Sequence, residues 1–325
     1  MGQMNKTMIS LKTHARLHMG FLDMHGGLGR KFGSLGLSLN APSLVMHAME
    51  AEELRVVGNV DVKIAEDVVK MLKTLQKSLN LQFRMQLSIE QSIPRHAGLG
   101  SGTQLAIGLV AVVNALYRLN LSQHQIAQLS SRGARSGIGL GAFFQGGALV
   151  DAGRGSTTGV PPIIARAVFP EDWYVILIAD NSQQGIHGAL ERATFEHLPA
   201  FAPSLAEKLC HHVLMQALPA LHEQDLPAFG GAVRALQMAT GEHFAAAQGG
   251  LYASDSVEKA LNYLVEQGVT CFGQSSWGPT GFAIVESEMA ALELLGQLQM
   301  AFEHLTQLSF SVCAGNNQGA QLDFV

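Results

Sequence analysis

Glycine occupies every second position at residues 98–103, where the sequence reads GLGSGT, and two hydroxyl-bearing residues follow the second and third glycines. Gly98 and Gly100 carry no side chain, so the backbone there can approach a bound anion closely. Ser101 and Thr103 offer hydroxyl groups at the start of an expected helix, where free N–H groups and the helix dipole favour negative charge. The stretch therefore predicts a phosphate cradle, with a tight strand-to-helix turn without a ligand as the alternative interpretation.

The predicted phosphate and pyrophosphate site comprises Gly98, Leu99, Gly100, Ser101, Gly102 and Thr103. The loop is not a Walker loop, because no Gly-Lys-Ser or Gly-Lys-Thr sequence follows it. Its GxGxG pattern alone does not indicate a dinucleotide site either.

A second polar concentration occupies residues 13–31, THARLHMGFLDMHGGLGRK. If residues 13–19 form a strand, its period of two places His14, Arg16 and His18 on one face. An edge strand with a solvated polar face is the alternative interpretation of this pattern.

Further basic residues follow the expected strand. Arg30 and Lys31 stand in what reads as a glycine-rich loop, with His25 nearby, and Asp23 is the only acid between residues 13 and 31. The local charge is therefore positive, and such a cluster suits an anionic ligand.

A third concentration occupies residues 131–151, SRGARSGIGLGAFFQGGALVD, in which no acid precedes Asp151. Arg132 and Arg135 supply positive charge, and three glycines interrupt the apolar run that follows. These glycines suggest a backbone surface beside a ligand. A buried, glycine-packed helix start is the alternative.

Two polar loops in the second half add candidate substrate-binding residues. Gln274, Ser275 and Ser276 lie in a loop before a strand, and a plain hairpin turn accounts for this stretch alone equally well. Gln184 and His187 lie in the polar stretch DNSQQGIHG, which follows an expected strand.

Strands and helices are interspersed among the elements that must position these residues, and this mixture predicts an α+β fold. Strands are expected at residues 8–19, 54–64, 83–89, 148–151, 174–179 and 281–286. Helices are expected at residues 66–79, 103–119, 122–133, 204–218, 225–244, 256–266 and 289–304. The segment 151–162 is rich in Gly, Ser, Thr and Pro, and predicts a junction between domains at residues 1–158 and 159–325.

Length, composition and charge narrow the class of protein. The chain has 325 residues and is 47% hydrophobic, enough for two packed domains. Its formal net charge of −5 argues against nucleic-acid or membrane partners, because both select for a positive surface. The expected partners are small molecules.

Targeting segments, cysteines and histidines add three expectations. The first residues lack the apolar stretch of a signal peptide, which predicts a cytoplasmic protein. Cys210, Cys271 and Cys313 form no CxxC pair, so we expect them to be reduced and buried. The histidines lack ligand spacing, so we predict no tightly held transition metal.

The phosphate loop resembles that of the superfamily of small-molecule kinases that includes galactokinase, homoserine kinase, mevalonate kinase and phosphomevalonate kinase. That superfamily's loop reads P-x-x-x-G-L-G-S-S. Pro94, Gly98, Leu99, Gly100 and Ser101 match it, and Gly102 replaces the second serine. The resemblance implies two α+β domains with the active site in the cleft between them, and a homodimer.

One departure separates the chain from the kinases it resembles. Mevalonate-kinase-like members carry S-G-x-D in the middle motif, where the aspartate acts on the hydroxyl that is phosphorylated. Here the stretch is Ser136-Gly137-Ile138-Gly139, without the carboxylate. An ATP-dependent small-molecule kinase remains the alternative, because positioning and metal charge alone can support phosphoryl transfer. A ligand sensor without catalysis is a third possibility.

Three stretches look more closely like an offshoot of the superfamily, the β-ribofuranosylaminobenzene 5′-phosphate synthases. They are ARLHMGFLDMHGG, RSGIGLGAFFQGGALVD and QSSWGPTGFA. The resemblance implies condensation of 4-aminobenzoate with phosphoribosyl pyrophosphate, with release of carbon dioxide and pyrophosphate, at the start of tetrahydromethanopterin synthesis. Preference for 4-hydroxybenzoate over 4-aminobenzoate stays open, since the two acids differ at one para group.

The substrates implied by this resemblance carry three anionic groups, namely the pyrophosphate, the 5′-phosphate and the benzoate carboxylate. Binding all three requires several positively charged side chains. We expect Arg16, His18, Arg132, Arg135 and Ser136 to take part in catalysis, and His25, Arg30 and Lys31 to bind substrate. The remaining predicted substrate-binding residues are Gln184, His187, Gln274, Ser275 and Ser276. Mg²⁺ is expected with the ribosyl donor, with Ser101 as its ligand, and no tightly bound organic cofactor is expected.

Overall fold

The computed structural model describes residues 7–58, 60, 62–185, 194, 198 and 200–325. The strands of this part of the chain are β1 (Met8–Asp23), β2 (Arg30–Glu50), β3 (Arg55–Gly58), β4 (Met85–Gln91), β5 (Ala148–Asp151), β6 (Arg154–Gly155), β7 (Ile163–Ala167), β8 (Tyr174–Asp180), β9 (Cys271–Gln274), β10 (Thr280–Val285), β11 (Leu308–Ala314) and β12 (Gln321–Phe324).

The helices described are α1 (Val62–Leu79), α2 (Ser101–Leu116), α3 (Gln123–Leu129), α4 (Ile138–Phe144), α5 (Pro203–His212), α6 (Leu218–Glu223), α7 (Leu226–Gln248), α8 (Asp255–Glu266) and α9 (Glu288–Ala301). A π-helical segment, Val213–Ala217, joins α5 to α6.

A large sheet runs in the order β12-β1-β2-β4-β3, and β5, β6 and β7 extend it from β2. The long strands β1 and β2 are antiparallel, with register shifts between His14 and Arg16 and between His18 and Gly20. Helices α2 and α4 pack against β1 and β2. Alternate residues of β1, among them Leu11, Leu17 and Met19, are fully buried in the core that results.

A second, four-stranded sheet runs in the order β11-β8-β10-β9. Helices α8 and α9 pack on it, with Leu261, Leu264 and Leu298 fully buried. The long helix α7 contacts both β9 and β1, so it connects the small sheet to the large one. The two sheets with their helices form the expected α+β architecture.

The large sheet draws on the second half of the chain. β7 pairs with β5, and β12 pairs with β1 through Ile9 and Phe324. Both β7 and β12 follow residue 158, so sheet pairing crosses the junction expected from composition. The domain boundary itself stays a prediction.

Several expectations for local structure were wrong. The strand expected at residues 54–64 ends at Gly58, because Val68, Leu72 and Leu75 are buried at helical spacing and α1 already begins at Val62. Arg30 and Lys31 open strand β2 rather than lying in a loop. Cys271 and Cys313 are buried as expected, but Cys210 is exposed.

Among the described residues, no helix combines the length and apolar character needed to cross a membrane.

Candidate functional site

A cleft of about 610 Å³ lies between the phosphate loop, β1, the segment 131–136 and the loop that joins β9 to β10. Its volume is in the range of pockets that bind small molecules. Both halves of the chain contribute to its walls, because Gly185, Ser276, Trp277 and Gly278 line it together with residues of the first half.

The phosphate loop, residues 94–103, places a helix N-terminus in the cleft. Helix α2 begins at Ser101, and its cap residue Gly100 has a φ of 83°, a left-handed conformation that glycine adopts without strain. Thr103 N and Gln104 N donate to the Gly100 carbonyl at 3.0 Å. Gly100, Ser101, Gly102 and Thr103 all line the cleft, so an anion there meets the positive end of the helix dipole.

Strand β1 holds this loop through its free edge. Arg16 N donates to the Leu99 carbonyl at 3.1 Å, and Ser276 N donates to the His18 carbonyl at 3.0 Å. The edge-strand interpretation of residues 14–18 is thus correct for the backbone, but the edge is not solvated. His14 and His18 are both buried.

Ser275 links the two loops below the cleft. It is fully buried. Its Oγ donates to the Gly98 carbonyl at 2.8 Å and accepts from His18 N at 3.1 Å. Gly98 has a φ of 78°, and a Cβ there would collide with the Ser275 carbonyl oxygen. Only glycine therefore fits at this crossing of the two loops.

Two arginines flank the phosphate loop. Arg16 Nη1 donates to the Gly98 carbonyl, and a Cβ added at Gly100 would lie 3.2 Å from the Arg16 side chain. On the other side, a Cβ added at Gly102 would lie 3.6 Å from Arg132 Nη2. Burial lowers the pKa of Arg132. An anion in the loop would lie between these two positive side chains.

Residues 132–137, named here the cationic segment, carry Arg132, Arg135 and Ser136 along the cleft wall. Asp151 anchors the end of the segment. Its Oδ2 accepts from Ser136 Oγ at 2.9 Å and from Gly137 N at 3.0 Å. Sequence reasoning did not assign Asp151 a role, although its place as the first acid after two arginines was the signal that could have identified it.

His18 is a neutral imidazole inside this positive site. Burial, together with the nearby charges of Arg16 and Arg135, lowers the pKa of His18 to about 3. Its Nε2 has no hydrogen-bond partner among the described residues.

An aromatic wall adjoins His18. The rings of His18 and Phe21 are 4.7 Å apart, and those of Phe244 and Trp277 are 4.3 Å apart. Phe21 and Phe244 also contact each other at 6.2 Å. His18, Phe21 and Trp277 line the cleft, so one end of it offers aromatic surface to a flat ring.

Gly139 lies in α4 at the position where the kinases carry their aspartate. It is buried, and a Cβ added there would lie 2.7 Å from Thr103 Cγ2. The buried Gln104 side chain reinforces this contact by donating to the Gly139 carbonyl at 2.8 Å. Thr103 thus fills the space that a carboxylate would need. The glycine-packed helix start, stated above as an alternative, describes α4 itself, while the cationic segment before it lines the cleft.

The cleft brings together most of the predicted site residues. Those that line it are Arg16, His18, Gly98, Gly100, Ser101, Gly102, Thr103, Arg132, Arg135, Ser136 and Ser276. Leu99, Gln274 and Ser275 are buried behind the wall. Gln274 Nε2 donates to the Ser276 carbonyl at 3.0 Å, so it supports the loop from below.

Four other predicted residues are absent from the cleft lining. His25, Lys31 and Gln184 are exposed. Arg30 donates to the carbonyls of Ala152 and Gly153, both at 3.0 Å. His187 lies outside the described residues.

Acidic side chains are scarce in the cleft. Of the described lining residues, Asp67 alone carries a carboxylate, and it accepts from Arg95 at 2.9 Å. No cluster of three or more His, Cys, Asp or Glu side chains able to hold a metal occurs in the described ranges. The hydroxyls of Ser101 and Thr103 beside the phosphate loop fit a Mg²⁺ ion that binds mainly through diphosphate oxygens.

Two family models match the chain. The GHMP kinases N terminal domain matches residues 66–147, and the GHMP kinases C terminal domain matches residues 217–304.

Curated relatives match over most of their length. The chain is 31% identical to β-ribofuranosylphenol 5′-phosphate synthase of Methanocaldococcus jannaschii, over 86% of this chain and 90% of that protein. It is also 31% identical to the synthase of that name from Archaeoglobus fulgidus, over 88% of this chain and 90% of that protein.

Solved structures share the fold. Homoserine kinase from Cytophaga hutchinsonii aligns with a TM-score of 0.69 at 15% identity, covering 99% of both chains. Mevalonate diphosphate decarboxylase from Staphylococcus aureus aligns with a TM-score of 0.68 at 14% identity, covering 98% of both chains. These similarities confirm the expected GHMP-kinase-like α+β fold.

Proposed function

Because the chain belongs to the β-ribofuranosylphenol 5′-phosphate synthase family and has the GHMP kinase fold, we propose that it joins a ribosyl 5-phosphate group to an aromatic ring. The donor is phosphoribosyl pyrophosphate, and the acceptor is a benzoate with an electron-donating para group. The products are a ribosylated arene 5′-phosphate, pyrophosphate and carbon dioxide.

The proposed reaction balances without an external base. The ring carbon that carries the carboxylate attacks the anomeric carbon, and the bond from the anomeric carbon to the pyrophosphate oxygen breaks. The bond to the carboxylate carbon then breaks, and its electron pair restores the aromatic ring. Carbon dioxide takes the place of the proton that an ordinary aromatic substitution would lose.

The contact between Gly139 and Thr103 carries this proposal. Mevalonate-kinase-like members of this superfamily carry, in the motif that Ser136–Gly139 resembles, an aspartate that acts on the acceptor hydroxyl. Here that position is Gly139, and a Cβ added there would lie 2.7 Å from Thr103 Cγ2. Asp67, the one carboxylate among the described lining residues, is paired with Arg95. A decarboxylating condensation tolerates such a cleft, because it requires no general base.

Charge in the cleft suits the donor. The helix N-terminus at Ser101, flanked by Arg16 and Arg132, supplies fixed positive potential where pyrophosphate develops charge as it leaves. Arg135 provides a further cation for the 5′-phosphate or the carboxylate. Mg²⁺, when bound with the donor, would neutralise part of the diphosphate charge beside Ser101 and Thr103.

The aromatic wall suits the acceptor. Phe21 and Trp277 present ring surface beside His18, and a benzoate can stack there. The relatives' name specifies a phenol product, which corresponds to 4-hydroxybenzoate, while 4-aminobenzoate is the acceptor expected from the sequence. Both para groups donate electrons to the carbon that attacks.

Release of carbon dioxide from carboxyl-labelled acceptor tests the proposal. The purified protein is incubated with Mg²⁺, phosphoribosyl pyrophosphate and either labelled 4-hydroxybenzoate or labelled 4-aminobenzoate. We expect release that depends on the ribosyl donor and stops when ATP replaces it. Folded protein that releases no label with either acid would exclude the proposed reaction. A homodimer, a cytoplasmic location and a role in tetrahydromethanopterin synthesis stay predictions.

A further inference from the structure

Asp151 is fully buried beneath the cationic segment, at the end of β5. Its Oδ2 accepts from three donors, Ser34 Oγ, Ser136 Oγ and Gly137 N. Its Oδ1 accepts from Gly153 N at 2.7 Å. Both carboxylate oxygens therefore face donors, and burial makes each of these bonds costly to lose.

The donors come from different parts of the fold. Ser34 belongs to β2 and Gly153 follows β5, so both lie in or beside the large sheet. Ser136 and Gly137 end the cationic segment, which forms neither helix nor strand before α4 begins at Ile138. Asp151 therefore ties an irregular segment to the sheet.

Arg30 supports the Asp151 carboxylate indirectly, through the residues that follow Asp151 in the chain. Arg30 donates to the carbonyls of Ala152 and Gly153, each at 3.0 Å, and so fixes the turn whose Gly153 N–H bonds Asp151. This contact gives Arg30 an indirect connection to the cleft, which its own side chain does not line.

We propose that Asp151 is a positioning residue for anion binding, holding the cationic segment so that Arg132 and Arg135 stay directed along the cleft. The inference rests on the proposed function only in naming the anion as the diphosphate of a ribosyl donor. Asp151 itself does not line the cleft.

Replacement of Asp151 by Asn tests the role with little change in size. The amide can point its NH₂ group toward either Oδ position, but each orientation opposes a backbone N–H, that of Gly137 or that of Gly153. Hydroxyl groups can rotate to accept from the amide, whereas these backbone groups cannot. The substitution removes the negative charge and, in either orientation, costs one backbone hydrogen bond, that of the cationic segment itself or that of the adjoining Gly153, so the segment should be held less firmly.

Asp180→Asn is the matched control. Asp180 is also a buried carboxylate at the end of a strand, accepting from Ser182 N at 2.9 Å and Ser254 Oγ at 2.6 Å. It does not line the cleft. Its replacement should lower stability without changing anion affinity.

The measurement is binding of inorganic pyrophosphate with Mg²⁺ by isothermal titration calorimetry, well below each variant's melting temperature. We expect Asp151→Asn to weaken binding about tenfold or more, which corresponds to one strong hydrogen bond to a charged group. Asp180→Asn should bind like the wild type. If Asp151→Asn does not fold, Ser34→Ala, which removes one buried donor to the carboxylate, should weaken binding about threefold.

The outcomes separate the two proposals. Wild-type protein that binds no pyrophosphate would overturn the proposed function and with it this role of Asp151. Wild-type binding with unchanged affinity in the folded Asp151→Asn variant, or in Ser34→Ala, would overturn the positioning role alone. Equal weakening in Asp151→Asn and Asp180→Asn would also overturn it, because lost stability would then explain both.

Discussion

Gly139 packs against Thr103 so tightly that a Cβ at position 139 would lie 2.7 Å from the threonine Cγ2. The contact joins the start of α4 to the first turn of α2, and so couples the helix behind the cationic segment to the phosphate loop. A side chain at position 139 would have to displace the Thr103 side chain in the first turn of α2.

Gly139→Ala should destabilise the protein by roughly 1–3 kcal/mol, because added volume in a packed core forces side chains or backbone to shift. Gly296→Ala is the matched control, since Gly296 also lies in a helix, α9, but no atom lies within 4 Å of its added Cβ. That variant should gain stability from helix propensity alone. Chemical denaturation measures both, and equal effects would contradict the packing argument.

Gly139→Asp restores the missing carboxylate but should not create a kinase, because Thr103 occupies the required space. An assay with ATP and small alcohol acceptors should show no phosphorylation above that of the wild type. Robust phosphorylation by this variant would mean that one group alone separates the chain from the kinases.

Arg135→Ala should lower turnover by roughly two to three orders of magnitude, which is typical for loss of one preorganised electrostatic donor. The melting temperature should change little, because Arg135 lies at the cleft surface rather than in the core. Arg55→Ala, at an exposed arginine of β3, serves as the control for loss of charge. Rates near those of the wild type would remove Arg135 from the site.

Ser275→Ala removes the hydroxyl that bridges Gly98 and His18 and leaves His18 N–H buried without its acceptor. We expect a loss of about 1–3 kcal/mol in the free energy of unfolding and weaker pyrophosphate binding. Ser311→Ala, at an exposed position of β11, should change neither property. A Ser275→Ala protein with unaltered stability would show that the two loops do not depend on this bridge.

Stability should depend on pH through His18. Its pKa falls from an ordinary value of 6.5 to about 3 in the folded protein, so between these values the unfolded state binds more protons. The stabilisation that the neutral His18 ring contributes is fully present above pH 6.5 and is lost as the pH falls toward 3. When the pH is lowered from 7 to 5, the free energy of unfolding of His18→Gln should therefore fall by roughly 2 kcal/mol less than that of the wild type. Chemical denaturation at both pH values measures this difference. If the free energy of unfolding fell equally in the wild type and in His18→Gln, the result would contradict the buried, neutral state of His18.

The phosphate loop was predictable from sequence because its signal is local. Glycines at fixed spacing before an apolar helix have few interpretations, and α2 begins at Ser101 within the predicted site. Helix α8 and strand β5 could be predicted equally well, because the patterns of apolar residues in their sequences are regular. Strand β2 was not predicted, because its internal glycines and Pro42 are typical of loops. Pairing with β1, β4 and β5 nevertheless holds this segment extended.

Relationships between distant residues could not be predicted. Nothing local shows that Thr103 fills the space at Gly139, or that Ser275 reaches the Gly98 carbonyl. Basic residues were expected to act directly on substrate, yet Arg30 contacts the carbonyls of a turn. Charge patterns show which ligand a region could attract, whereas the fold decides which cation faces it.

The crossing of the phosphate loop and the β9–β10 loop also limits how the molecule can move. Ser276 N donates to the His18 carbonyl and Gly185 N to the His96 carbonyl, at 3.0 and 2.8 Å, and these two backbone hydrogen bonds join the two halves of the chain. A hinge rotation that separated the two halves would break both of them. Opening of the cleft by such a rotation therefore costs both hydrogen bonds, whereas a rearrangement confined to the rim of the cleft would leave them intact.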